Sequence, residues 1–246
     1  GHRANTPCKN VIIRKCKMED GHGGVVIGSE ISGGCTNIFA EDCDMDSPNL
    51  DRVVRIKTNT CRGGINENIY VRNIRVGECR EAVMRINLVY EPKEIAERGH
   101  IPTVRNVYVE NITCKKSKYG ILLNGLTEKD SKTPQIYNIN VKNCKFEGLS
   151  AEPVYKTGLV KDVTIENVTA TAANYTVNVA TSAPKAVVAI KNSNLTGLNV
   201  VNVASPEANV TIEGGKITCN DQTDAENYAA LALHKDGKKA TISATG

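Results

Sequence analysis

The residues of this chain best suited to chemistry lie in two short stretches. The first is Asp20-Gly21-His22-Gly23-Gly24-Val25-Val26-Ile27-Gly28-Ser29-Glu30, and the second is Arg55-Ile56-Lys57. An imidazole pinned between glycines can give or take a proton near working pH. Arg55 and Lys57 are two apart, so on a strand they point to one face. A planar guanidinium fork beside a mobile ammonium makes a cradle for a carboxylate. Tyr90 follows Lys57 by 33 residues, the same interval that separates His22 from Arg55. Taken singly these signals are weak, since most histidines are ordinary surface or core residues and Arg-x-Lys is usually a solvated face. Their order and spacing carry the reading. The glycines are not a phosphate loop, because a Val-Val-Ile strand follows them and no helix does.

Other titratable groups near the first stretch are Glu19, Asp20, Glu30, Asp42, Asp44 and Asp46. Glu19 and Asp20 read as turn residues, and none of the six is assigned as a catalytic acid. His2, His100 and His234 have no partner that the sequence names.

The elements that must position these side chains are repeated. Asn10-Val-Ile-Ile-Arg-Lys-Cys16 is followed by Asn37-Ile-Phe-Ala-Glu-Asp-Cys43 and Asn68-Ile-Tyr-Val-Arg-Asn-Ile74. The series continues with Asn106-Val-Tyr-Val-Glu-Asn-Ile112, Asn138-Ile-Asn-Val-Lys-Asn-Cys144 and Asp162-Val-Thr-Ile-Glu-Asn-Val168. Each unit has a polar starter, alternating apolar residues, a polar pair and an apolar stop. The starters are 27, 31, 38, 32 and 24 residues apart, a period of stacked coils with one such strand per coil. The fold predicted is all-β, a right-handed parallel β-helix in which the Asn starters form a ladder. Unequal spacings place insertions at loops, the longest running from Tyr90 to Pro102 with Glu91, Lys93, Glu94, Glu97, Arg98 and His100. Such a loop either shapes a cleft or is plainly solvated.

Composition fits this picture. The 246 residues are 40% hydrophobic but only 4% aromatic, with no Trp, so the core is built from Val, Ile, Leu, Ala and Cys. A net charge of +4 is ordinary at this size, and no basic run with interleaved aromatics suggests nucleic-acid binding. No apolar run approaches the roughly 18–20 residues of a membrane span. Nine cysteines cannot all pair within one chain. Cys16, Cys43 and Cys144 share the apolar-stop slot and read as a ladder of small buried residues. Cys8 and Cys35 are left open to pairing with a neighbour. No close Cys-x-x-Cys pair points to a metal. After Val168 the composition shifts to Thr, Ala, Val and Asn. Residues 169–246 read as further, less regular coils that close the stack, or as a small appended β-domain. Five Asn-x-Thr triplets, at Asn111, Asn167, Asn174, Asn194 and Asn209, read as turn chemistry.

Gly-His-Gly followed by Arg-Ile-Lys resembles the polygalacturonases, the pectin-cleaving glycoside hydrolases of family 28. The run from Gly23 to Gly34 and Ser47-Pro48-Asn49-Leu50-Asp51-Arg52 look like the bacterial, exo-type branch, and the resemblance covers roughly residues 1–168. It implies hydrolysis of α-1,4-galacturonide bonds in homogalacturonan, with inversion and without metal or organic cofactor. It implies that His22 supports the catalytic acids and that Arg55 and Lys57 grip a galacturonate carboxylate. It also puts Tyr90 in the same subsite. The family's aspartate motifs, Asn-Thr-Asp and Asp-Asp, are absent, and the first seven residues resemble the connection after the Asp-Asp strand. The expectation is therefore an N-terminally truncated β-helix, inactive alone, whose open coil end promotes self-association. A secreted, periplasmic or cell-surface location follows from an acidic-polysaccharide substrate. The rival from another class is a non-catalytic β-solenoid that binds acidic polysaccharide or serves as an adhesin. A substituted galacturonan such as rhamnogalacturonan is the alternative substrate, against which Arg55 and Lys57 argue.

Overall fold

The computed structural model describes residues 5–151, 154–221, 223 and 228–246, with the backbone alone at Tyr155 and Lys156. The segment 1–4, which includes His2, lies outside the described residues. Those described form strands and no helix. In chain order the strands are β1 (Cys8–Arg14), β2 (Val25–Ile27), β3 (Cys35–Glu41), β4 (Arg52–Lys57) and β5 (Ile65–Glu78). There follow β6 (Ala82–Asn87), β7 (Thr103–Lys116), β8 (Tyr119–Asn124), β9 (Ile136–Lys142) and β10 (Lys145–Leu149). Next are β11 (Val154–Thr157), β12 (Val163–Glu166), β13 (Thr169–Ala172), β14 (Val177–Val179) and β15 (Val187–Gly197). The last four are β16 (Val201–Val203), β17 (Asn209–Cys219), β18 (Leu231–Leu233) and β19 (Thr241–Thr245).

Every pairing between these strands is parallel. An 8-stranded sheet runs β2-β4-β6-β8-β11-β14-β16-β18, and an 11-stranded sheet holds the rest. Each strand pairs with its counterpart one coil later, so a repeated sequence becomes a stacked row. The long strands of the larger sheet span two faces. The first half of β7 pairs with β9 and the second half with β10.

The bends between faces explain the polar starters. Asn10, Asn37, Asn68, Asn106, Asn138 and Asp162 all have φ between 52° and 59°. Asn tolerates this left-handed conformation better than most residues. Its amide both donates and accepts, so stacked copies bond to one another. Asn37 Nδ2 donates to Asn10 Oδ1 at 2.9 Å, Asn106 to Asn68 at 3.0 Å and Asn138 to Asn106 at 2.8 Å. The predicted ladder is present. A second row of bends runs through Lys15, Asp42, Asn73, Asn111, Asn143 and Asn167, again at positive φ; of these only Asn111 and Asn167 were read from the sequence as turn residues. Here Asn111 Nδ2 donates to Asn73 Oδ1 at 3.1 Å.

Between the bends, alternate residues point inward and stack. One row reads Val11, Ile38, Ile69, Val107, Ile139, Val163, Val188, Val210, Ile242. From Ile38 to Val210 the residues of this row are buried, each worth roughly 1.5–3 kcal/mol when taken fully out of water. The outward row beside it alternates in charge: Arg14, Glu41, Arg72, Glu110, Lys142, Glu166, Lys191, Glu213. Cys43 and Cys144 are buried in the apolar-stop slot, while Cys16, on the first coil, is half-exposed. All nine cysteines are free thiols, including Cys8 and Cys35, which are register partners on β1 and β3. The rows continue past Val168 through β15 and β17 to β19.

Candidate functional site

The site lies on the outer face of the smaller sheet, where β2, β4 and β6 meet the loops that follow them. On β4 the pattern Arg52-Val53-Val54-Arg55-Ile56-Lys57 buries Val53, Val54 and Ile56 completely, which turns Arg55 and Lys57 outward. Close packing of the preceding coil needs glycine. A Cβ on Gly23 would lie 2.6 Å from Val26 Cγ2 and 3.5 Å from Arg55 Cβ. A Cβ on Gly28, where φ is +98°, would lie 1.9 Å from the Lys57 carbonyl oxygen. Gly23 and Gly28 thus let the β2 segment settle against the strand that carries both cations, whereas Gly21 has nothing within 4 Å.

Tyr90 completes the cradle. Lys57 Nζ lies 4.5 Å from the centroid of the Tyr90 ring and 3.5 Å from its hydroxyl, while Arg55 Cζ lies 5.4 Å from the same centroid. Such cation–π contacts contribute about 0.5–2 kcal/mol each. Neither Arg55 nor Lys57 forms an ion pair among the described residues, whereas Arg52, Arg62, Arg72, Arg75, Arg80, Arg85 and Arg105 all do. Partial burial, then the neighbouring Arg52, lowers the pKa of Arg55, and partial burial, then Arg55, lowers that of Lys57. Tyr90 is shifted upward, chiefly by its hydrogen bond with Glu91 and then by burial. Glu91 acts on Lys57 and Glu81 on Arg55 from nearby, but with no ion pair fixing either cation among the described residues the pair favours an arriving anion. Beside Tyr90 lies a cleft of about 220 Å³ lined in part by Asn59, Arg98, Leu126 and Asp130, and neither Arg55 nor Lys57 lines it.

His22 makes a different contact. Its Nδ1 is 3.0 Å from Asp51 Oδ2. The ring is largely exposed, while the Asp51 side chain is only 15% exposed. Asp51 also meets Arg80 Nη1 at 3.1 Å and Arg52 Nη1 at 3.3 Å. The hydrogen bond from His22, reinforced by Arg52 and Arg80, holds its carboxyl below the usual carboxylate range. Arg52 in turn pairs with Glu81, which accepts from Arg85 Nη1 at 2.8 Å.

The structure therefore gathers Arg55, Lys57 and Tyr90, and joins His22 to Asp51 at the entry to β4. The interval of 33 residues is not the register of the coils here. Arg55 is opposite Val26, 29 residues away, and Lys57 is opposite Asn87. Asp51, Arg80, Glu81 and Arg85 were not read as site residues. The available signal was a spacing of 29, which separates His22 from Asp51 and also Arg52 from Glu81.

Fold and site together define an all-β protein of parallel strands with a cationic, tyrosine-capped cluster on one sheet. The model of glycosyl hydrolases family 28 matches residues 4–148. A probable polygalacturonase of Vitis vinifera is 38% identical over 69 residues, covering 28% of this chain and 14% of that protein. A polygalacturonase of Ralstonia solanacearum is 28% identical over 149 residues, covering 58% of this chain and 27% of that protein. The chain spans less than a third of either relative. With more than half of its length matched by the family model, the chain belongs to glycosyl hydrolases family 28.

Proposed function

We propose that this chain is the substrate-gripping part of a polygalacturonase, built as a right-handed parallel β-helix that acts on pectic homogalacturonan. Arg55 and Lys57 hold the carboxylate of one galacturonate unit, Tyr90 lines the same subsite, and His22, oriented by Asp51, faces the reacting bond. The observation that carries the reading is the pair of cations under one tyrosine, neither of them in an ion pair among the described residues. The reaction is hydrolysis of an α-1,4-galacturonide bond with inversion, acting from chain ends, in a secreted, periplasmic or cell-surface setting. Residues 1–168 carry the family-like coils, and residues 169–246 are further coils that close the stack.

Inversion needs two carboxyl groups on either side of the scissile bond. The carboxylate in contact with His22, Asp51, is already engaged by two arginines. On this reading the chain alone binds the polymer without cleaving it. The same observation favours the second reading, a non-catalytic binder of acidic polysaccharide. Both readings predict that the full chain releases no reducing ends from polygalacturonate, and such release would contradict binding without cleavage.

The carboxylate-grip reading is tested with trigalacturonate and its methyl ester, which differ in charge but little in shape. Binding of the free acid at least tenfold tighter supports the cradle. Equal affinity contradicts it.

A further inference from the structure

Tyr90 begins a long loop between β6 and β7 whose tip is open to solvent, with Ile95 fully exposed. The loop is nevertheless fastened near its start. Tyr90 N donates to the Thr58 carbonyl at 3.2 Å. Asn59, only 1% exposed, donates through Nδ2 to the Tyr90 carbonyl at 2.9 Å and to Glu94 Oε2 at 2.6 Å. Its Oδ1 accepts from Cys61 N at 2.9 Å. One amide therefore spends both donors on the loop and its acceptor on its own turn. The second oxygen of Glu94 accepts from Arg62, and Arg98 adds bonds to Thr60 Oγ1 and to the carbonyls of Pro92 and Glu94.

We infer that Asn59 and Glu94 are positioning residues that set the Tyr90 ring over Arg55 and Lys57, and so tune the affinity of the subsite for a uronate. The inference rests on the carboxylate-grip reading for its ligand, but its geometry stands on the contacts alone. Asn59 lies two residues beyond Lys57, so one turn carries both a cation and the anchor of the ring above it. Neither aspartate nor alanine at position 59 reproduces these bonds. Aspartate would face the Tyr90 carbonyl and the Glu94 carboxylate with no donor, and alanine would leave both acceptors and the Cys61 amide unanswered. The Arg62–Glu94 pair supplies the counter-charge that keeps the Glu94 carboxylate in place beside the buried amide.

A merely structural role is separated from positioning by a double-mutant cycle on the full chain. Trigalacturonate affinity is measured for the wild type, Glu94→Ala, Tyr90→Ala and the double variant. Glu94 is a loop residue, so its truncation spares the core even if Asn59→Ala does not fold. Tyrosine ring resonances are recorded without ligand, with Tyr90 assigned by Tyr90→Phe. The expected result is a Tyr90 ring signal displaced by Glu94→Ala, and affinity weakened roughly tenfold, as for loss of a charge-assisted anchor. In the Tyr90→Ala background the Glu94 effect disappears. Additive losses, or an unmoved Tyr90 signal, overturn the inference. A wild type that binds no trigalacturonate while Glu94→Ala still moves Tyr90 refutes the sugar reading and leaves the anchoring of Tyr90 standing.

Discussion

Asp51 Oδ2 and His22 Nδ1 are 3.0 Å apart, although 29 residues separate them. They meet because Gly21 and Leu50 form a bridge and Asp51 N donates to the Gly21 carbonyl at 2.9 Å. One ring nitrogen is occupied by a carboxylate, which leaves the other free to face a ligand. The arrangement orients an exposed histidine through a sheltered acid.

That pair has a consequence in acid. The Asp51 carboxyl is held below its ordinary range by His22, Arg52 and Arg80. Its stabilisation is therefore present above the ordinary carboxylate range and is lost as pH falls through the lowered folded value. Asp51→Asn is expected to cost about 1–3 kcal/mol at neutral pH, because it weakens contacts to three partners. Thermal melts from pH 7 down into the acid range check this. The variant should show a shallower fall in Tm below about pH 4 than the wild type. Parallel curves would remove Asp51 from the account.

Gly28 is a second test of how the coils carry the site. Alanine there meets the Lys57 carbonyl and a backbone at φ +98°. The two penalties together come to about 2–5 kcal/mol. Because the clash is with the Lys57 peptide itself, uronate binding should weaken along with stability. Chemical denaturation and a binding titration on the same preparation check both. Unchanged stability would mean that β2 does not pack against β4 as described.

The Asn ladder gives a stability test remote from the site. Asn106 has φ 55°, donates to Asn68 and accepts from Asn138. Asn106→Ala is expected to cost about 2–4 kcal/mol from the lost bonds and the strained backbone. Asn106→Gly relieves the backbone part and should be milder by about 1 kcal/mol. The order Asn, Gly, Ala in denaturant midpoint is the checkable outcome, and Ala above Gly would contradict it.

Thiol chemistry reports the core. Burial pushes Cys35 and Cys144 up to about 12, whereas Cys8 is exposed. In alkylation followed by mass spectrometry near pH 8, Cys8 should react first, with Cys35 and Cys144 modified only on unfolding. Rapid native modification of Cys144 would contradict its place in the buried stop row.

The rows legible in the sequence were those in which one residue type recurs. Asn at five of the six starters, with Asp162 at the last, announced both the bend and the ladder, and the alternating apolar residues after it announced the strand. The second row of bends was legible only at Asn111 and Asn167, because Lys15, Asp42 and Asn73 look like unrelated surface residues although all take positive φ. Arg55, Lys57 and Tyr90 were legible as a set through their motif. Asp51 was visible within the Ser47–Arg52 run but had no role there, because contacts between coils depend on loop lengths that vary from coil to coil. Asn59 was invisible for a further reason. Its partners, the Tyr90 carbonyl and Glu94, belong to an insertion whose path no periodicity describes.

The most direct measurement for the central claim is calorimetric titration of trigalacturonate and of a neutral galactose trimer into the full chain, with Arg55→Ala and Lys57→Ala alongside. The wild type should prefer the acidic trimer, and each variant should lose roughly tenfold in that preference, the loss of one charge-assisted contact. Because the pKa of Lys57 is lowered by burial and by Arg55, the wild-type preference should also begin to decline at an alkaline pH below the ordinary lysine range. If Arg55→Ala and Lys57→Ala leave the preference for the acidic trimer unchanged, the two cations do not grip a carboxylate.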